Sequence, residues 1–139
     1  MNDSGSCIFC KIVSGDITAS KIYEDEHALA FLDIEPKSPG HTLVIPKHHS
    51  AVLAELPDGE VGPLFSAVKK VSALLTGKLG AQGLTMGINQ GEVSGQEVGH
   101  IHVHIMPRWS GDEGGPIQSV VDNRSKRSLK DVYDAIKSN

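Results

Sequence analysis

No stretch of this 139-residue chain approaches the ~20 consecutive apolar residues of a membrane span, so no membrane-crossing protein is expected. An excess of positive charge is missing too: 13 Lys and Arg stand against 17 Asp and Glu, a formal net charge of −4. That balance argues against nucleic acid or an anionic membrane surface as the main partner, although a local basic patch is compatible with it. Cysteine is scarce. Cys7 and Cys10 are the only two, and their CxxC spacing reads as metal or redox chemistry rather than as a structural disulfide. There are no repeats and no low-complexity tracts. Met1–Ser6 is polar, with Asp3 its one charged side chain, so no signal peptide is expected and the cytoplasm is the expected location. With 22% charged and 39% hydrophobic residues, the chain has ordinary soluble composition, and its length suits one domain over 1–139 that needs no staples.

What the chain does have is histidine in a pattern. Residues 100–106 read His100-Ile101-His102-Val103-His104-Ile105-Met106. A strand points successive side chains to opposite faces. Ile101, Val103 and Ile105 would then enter a core while His100, His102 and His104 line the other face. Three of seven histidines on one row is not a demand of packing. Same-face neighbours lie roughly 6.6 Å apart and the outer pair about 13 Å, too far for one metal held at about 2.0–2.1 Å by three nitrogens. A division of labour fits better: a central nucleophile or base, with neighbours that orient it and serve the leaving group. Imidazole titrates near neutrality and can take each part.

Elsewhere, Lys21–Tyr23 and Ala28–Leu32 flank the polar Glu24–His27 and predict a hairpin. Prolines and glycine make 34–40 a loop. His41–Ile45 is a β-rich run expected to close at Pro46. Apolar residues at helical spacing predict a long helix over Gly59–Leu79, with Asp58 as N-cap, Pro63 in or near the first turn and Gly80 past the end. Leu84, Met86 and Ile88 alternate as a strand. The histidine strand follows and is expected to end at Pro107. Residues 109–127 read as irregular, and Ser128 opens a short helix with Leu129, Val132, Tyr133 and Ile136 on one face. Hairpins with a single long helix predict an α+β fold on a mostly antiparallel sheet.

Gly91, Gly95 and Gly99 precede the histidine row. Free amides there can form an anion nest for phosphate, or the glycines simply make a flexible connection. Asn89 and Gln96 could donate to the same phosphate. Asp33 could accept from sugar hydroxyls or serve as a turn former. His48 and His49 are either exposed loop histidines or contributors to a Cys₂His₂ zinc set with Cys7, Cys10 and a strand histidine. A thioredoxin-like role for the CxxC pair lacks the strand–helix setting it needs.

The run His-apolar-His-apolar-His-apolar-apolar after Gly95-Gln96-Glu97-Val98 resembles the signature of the histidine triad (HIT) family. Cys7–Ile12, Phe31–Ile34 and Gly40–Lys47 resemble that family as well. The likeness covers about residues 7–110, is nearest the Hint-like prokaryotic branch, and leaves 111–139 as a carboxyl-terminal segment of no clear branch. It implies a five-stranded sheet with one long helix and a short C-terminal helix, and a homodimer with a ten-stranded sheet. It implies a hydrolase or transferase acting at the α-phosphorus of purine nucleoside phosphoramidates or related AMP derivatives. His102 would be the nucleophile, His104 would face the leaving group and phosphate, His100 would orient the row, and His41 would close a relay behind it. Asn89, Gln96 and the backbone near Val98 would hold the phosphate, Asp33 and Ile34 would border the ribose, and Phe9 and Ile12 would flank the base. Structural Zn2+ would sit on Cys7, Cys10, His49 and His100, with His49 preferred to His48 because it matches the family's Pro-Lys-x-His; the chemistry itself would need no metal. Glu97 departs from the usual Ser or Thr and is expected to turn outward, and Gly99 stands where larger residues are common. The rival readings are a dinucleoside polyphosphate hydrolase of the Fhit-like branch, a nucleotide-binding scaffold with vestigial activity, and a metal-dependent hydrolase ligated by His100 and His102.

Overall fold

In the computed structural model, residues 5–124 and 126–139 are described; most of the polar leader Met1–Ser6 therefore lies outside the described residues. The chain runs α1 (Ile8–Ser14), β1 (Lys21–Glu24), β2 (Ala28–Leu32), β3 (Thr42–Pro46), α2 (Asp58–Leu79), β4 (Gly83–Gly87), β5 (Val103–Arg108) and α3 (Leu129–Lys137), with short 3-10 turns between. The strands form one antiparallel sheet in the order β1-β2-β3-β5-β4, the expected α+β class.

Both faces of the sheet are covered, which is why β2 and β3 read as unbroken apolar runs. Ala28, Ala30, Val44, Val103 and Ile105 face α2 through its Leu64, Ala67, Val68, Val71 and Leu75. Leu29, Phe31, Leu43 and Ile45 face the other way, onto Cys7, Phe9 and Ile12 at the amino-terminal end. Each fully buried Leu, Ile or Val contributes roughly 1.5–3 kcal/mol. The hairpin forms as expected: Asp25 caps its turn, Oδ1 accepting from the amides of His27 (2.7 Å) and Ala28 (2.8 Å).

The structure differs from expectation in several places. Helix α1 carries too few residues for a period to show. It is closed by the Cys7 sulfur, which accepts from the Cys10 amide at 3.3 Å, and by Gly15 at φ 90°. Asp58 is the first helical residue of α2 rather than its cap, Pro57 takes the cap position, and Pro63 sits in the second turn. Pro46 pairs with Ala28 and so belongs to β3. Pro107 does not end β5: it pairs with Leu84. Pairing with β3 stops at Ile105, so at Pro107 only β4 flanks the strand and a missing donor on the open side is tolerated. Conversely, β5 begins only at Val103. Ahead of it the Ile101 amide leaves the ladder and donates to the Ser50 carbonyl at 2.8 Å. Ser128 caps α3 as expected, accepting from the Asp131 amide at 3.0 Å, and Leu129, Tyr133 and Ile136 of that helix are exposed.

Candidate active site and metal cluster

His100 and His102 both meet the Phe9 ring, at 5.9 and 5.2 Å, on the side of the sheet that carries the second core cluster. Ile101, Val103 and Ile105 are buried as the alternation requires. His102 and His104 stay together, ring centroids 5.1 Å apart, whereas the His100 ring turns into a separate cluster with Cys7, Cys10 and His49.

Fixed hydrogen-bond roles determine which nitrogens carry protons. The Lys37 backbone N–H donates to His41 Nδ1 at 3.0 Å, so the His41 proton sits on Nε2. That group lies 2.9 Å from His104 Nδ1, which must accept, so the His104 proton sits on its own Nε2. His102 Nδ1 lies 2.8 Å from the His100 carbonyl, which only accepts; its proton is therefore on Nδ1 and the lone pair on Nε2. Burial pushes the His104 pKa down to about 4, helped by neighbouring His102 and His41 against the pull of Asp33. Burial also lowers that of His41. The site thus sets the Nε2 of His102 beside the neutral N–H donor of His104. Asp33 Oδ2 stands 3.6 Å from His41 Nε2, while its Oδ1 accepts from the Glu35 amide. Asp33, His41 and His104 lie close enough to share a cation, but the Lys37-to-His41-to-His104 chain already uses the facing lone pairs.

His100 works in two directions. Its carbonyl holds His102. Its Nε2 donates to the Pro46 carbonyl at 2.8 Å, which leaves the Nδ1 lone pair aimed at the sulfurs, 3.4 Å from Cys7 and 3.5 Å from Cys10. His49 Nδ1 lies 3.2 Å from Cys10 Sγ and 3.2 Å from His100 Nδ1. Donors about 2.0–2.3 Å from a common ion in tetrahedral geometry stand roughly 3.3–3.8 Å apart. Two thiols and two Nδ1 atoms at these spacings, one imidazole oriented by a carbonyl behind it, fit a structural zinc ion. Without a cation, burial and the adjacent Cys7 push the Cys10 thiol up to about 11. His48 is exposed on the loop, so His49 is the histidine that the structure brings to the cluster.

The remaining expected residues are placed less uniformly. Ile34 is 95% exposed beside Asp33. Phe9 and Ile12 are buried in the second core cluster, and the Phe9 ring lies 5.2 Å from that of His102. Gln96 is engaged: its Nε2 donates to the carbonyls of Ala51 (2.7 Å) and Val98 (3.1 Å), and its Oε1 accepts from Gly91. It braces the loop instead of presenting a donor. The amides of Gly91 and of residues 94–96 close turns within the loop and so are unavailable to an anion nest. Asn89 lies beside Gly95, Val98 packs on the second core cluster, and Glu97 is exposed. The contributions missed in the residue pattern are backbone groups, namely the Lys37 amide and the His100 and Pro46 carbonyls. No side-chain signal marks them.

The HIT domain family matches residues 14–111, and the chain belongs to that family. The chain is similar to the adenosine 5'-monophosphoramidase hnt1 of Schizosaccharomyces pombe, 45% identical over 109 residues that cover 78% of this chain and 79% of that protein. Among solved structures, it is similar to a member of the HIT family of proteins from Bacillus subtilis (38% identity, 94% of each chain, TM-score 0.79). It also resembles a zinc-bound histidine triad family protein from Mycobacterium smegmatis (44% identity, 80% of this chain and 81% of that chain, TM-score 0.75). No helix among the described residues is long and apolar enough to cross a membrane.

Proposed function

We propose that this protein hydrolyses P–N or related bonds at the α-phosphorus of purine nucleoside monophosphate derivatives through a nucleotidyl-histidine on His102. The observation that carries this reading is the 2.8 Å hydrogen bond from His102 Nδ1 to the His100 carbonyl, which exposes the Nε2 lone pair beside the His104 N–H. In the first step His102 Nε2 bonds to phosphorus and the P–N bond breaks. Its electron pair stays on the leaving nitrogen, which departs as a neutral amine with a proton from solvent at the His104 edge. Water then attacks phosphorus, its proton goes to solvent, and the pair of the N–P bond returns to Nε2. Splitting the displacement makes each step easier, and amides of 97–99 with Asn89 stabilise charge on the phosphoryl oxygens. Asp33 accepts from the ribose, which exposed Ile34 borders.

Zinc on Cys7, Cys10, His49 and His100 holds the amino-terminal end against the sheet and takes no part in the displacement. A reducing compartment such as the cytoplasm keeps both thiols available as ligands. Strand β4 is an open sheet edge, and Met86 on it and Phe65 on α2 are each 41% exposed beside an apolar groove. These features support a homodimer joined through β4 and α2 into a ten-stranded sheet.

The test is AMP release from adenosine 5′-phosphoramidate, followed by chromatography with protein pre-treated with EDTA. Release is expected in the wild type and absent in His102→Ala, which still binds AMP. Turnover retained in that variant would refute the covalent scheme.

A further inference from the structure

The Cys7-Ile8-Phe9-Cys10 motif can carry redox chemistry as well as ligands, and the function above takes up only the ligands. Both sulfurs belong to a group of donor atoms that all lie within 4.8 Å of one another. They stand at the two ends of the first turn of α1, where the Cys10 amide donates to the Cys7 sulfur at 3.3 Å. A disulfide bond of about 2.05 Å is reached there by turning the two side chains and tightening that turn. The two thiols differ in access: Cys7 is buried and Cys10 half-buried. Such a pair suits attack at the outer sulfur, with the inner one resolving the product.

Oxidation has a consequence because of what the pair holds. Helix α1 has seven residues, too few to persist without tertiary support. One part of that support is apolar, the packing of Phe9 and Ile12 against Leu29, Phe31, Leu43 and Ile45. The other is the donor set, in which the two sulfurs face His49 and His100. A disulfide engages the sulfurs with each other, leaves two imidazoles as donors and so lowers the affinity for zinc. Only the apolar part then holds α1. The helix adjoins the reacting residues, with the Phe9 ring 5.2 Å from that of His102, and Phe9 and Ile12 are the residues expected along the base. An α1 that is docked for part of the time weakens nucleotide binding in proportion. The His102 bond to the His100 carbonyl does not depend on it.

We propose that Cys7 and Cys10 are a site of reversible oxidation by peroxide, at which the disulfide releases zinc, loosens α1 and lowers the affinity for nucleotide. As zinc ligands both sulfurs are thiolates, the form that hydrogen peroxide oxidises. The Cys10 sulfur bonds to one peroxide oxygen as the O–O bond breaks, giving a sulfenic acid and a hydroxide that takes a proton from solvent. The Cys7 sulfur then attacks the Cys10 sulfur, the S–O bond breaks, and a second hydroxide leaves as water in the same way. The two sulfurs are oxidised and the peroxide is reduced to water; a dithiol reverses the change. The proposal rests on the zinc set and, for its effect on nucleotide, on the phosphoramidase reading.

The experiment treats reduced, zinc-loaded protein with hydrogen peroxide. It reads zinc released to a chromophoric chelator, intact mass, Tm, AMP affinity by calorimetry and the kinetics of adenosine 5′-phosphoramidate turnover. One zinc should be released per disulfide, with a mass about 2 Da below that of the reduced protein and a lower Tm. KM and the Kd for AMP should rise about threefold, as for α1 docked in a third of the molecules, with kcat held within about twofold. Dithiothreitol with added zinc should restore every readout. Reduced protein stripped by EDTA, and Cys10→Ser, should show the weaker binding without peroxide and no further loss with it. Zinc retained under peroxide, or released with a sulfinic acid about 32 Da heavier in place of the disulfide, would overturn the proposal. Unchanged nucleotide affinity after release would overturn it as well. If Cys10→Ser does not fold, oxidation of the wild type and its reversal carry the same comparison. A reduced wild type grown with zinc and free of it would remove the zinc set and this switch together. Absence of turnover in the reduced protein would fail the phosphoramidase reading alone, since zinc release, mass and AMP affinity still decide the switch.

Discussion

The relay behind the nucleophile can be cut at one bond at a time. His41 accepts from the Lys37 amide at Nδ1 (3.0 Å) and donates from Nε2 to His104 (2.9 Å), and it is 4% exposed. Asparagine places a polar atom near the position of Nδ1 and nothing at Nε2; glutamine reaches the Nε2 position and leaves Nδ1 empty. His41→Asn should therefore keep the Lys37 bond and lose the one to His104, and His41→Gln the reverse. Each variant leaves one partner of a part-buried hydrogen bond unsatisfied, at about 1 kcal/mol, so both should lose similar stability, about 3–5 °C in Tm for a chain of this size. Their rates should diverge. With Asn, His104 is no longer held as the tautomer with its proton on Nε2, and the loss of one preorganised donor is worth roughly 10²-fold in kcat. With Gln, the amide still donates to His104 Nδ1, and kcat should stay within about tenfold of wild type. The assay is phosphoramidate turnover under saturating substrate, with Tm by calorimetry as the control for folding. Equal kcat in the two variants, or a faster Asn variant, would refute the tautomer chain.

Three other outcomes are expected. The native pKa of His104 is pushed down to about 4, below its unfolded value near 6.5, so between those pH values the unfolded chain binds the extra proton. Stability should fall as pH drops from about 6.5 to 4 and level off below. Tm against pH, compared with His104→Asn, checks this, and an unchanged slope in the variant would count against it. Zinc should be present at one ion per chain by elemental analysis and lost in Cys10→Ser, with Tm falling on chelation because a ligand bound only to the folded state stabilises it; a wild type grown with zinc and free of it would exclude the cluster as a zinc site. Met86→Lys, on the open edge of β4, should convert a dimer to a monomer in analytical ultracentrifugation, and a monomeric wild type would remove the proposed interface.

The alternation of Ile101, Val103 and Ile105 with His100, His102 and His104 was enough to predict a strand and its buried side, because strand periodicity is a local property. The long helix, the hairpin at Asp25 and the Ser128 cap were legible for the same reason. The family resemblance, carried by contiguous motifs, pointed to the class that residues 14–111 match. What the chain alone could not show is where the ladder begins: β5 starts only at Val103 because the Ile101 amide turns to Ser50, a competition between two pairings far apart in sequence. Nor could residue types tell that Gln96 is consumed in bracing a loop or that Phe9 closes onto His102. The protons of His41, His102 and His104 are assigned by backbone groups of Lys37 and His100, which every residue carries and no sequence pattern marks. Side-chain chemistry is written locally; hydrogen-bond partners and ring contacts exist only once distant segments meet, and that meeting is decided by the tertiary structure.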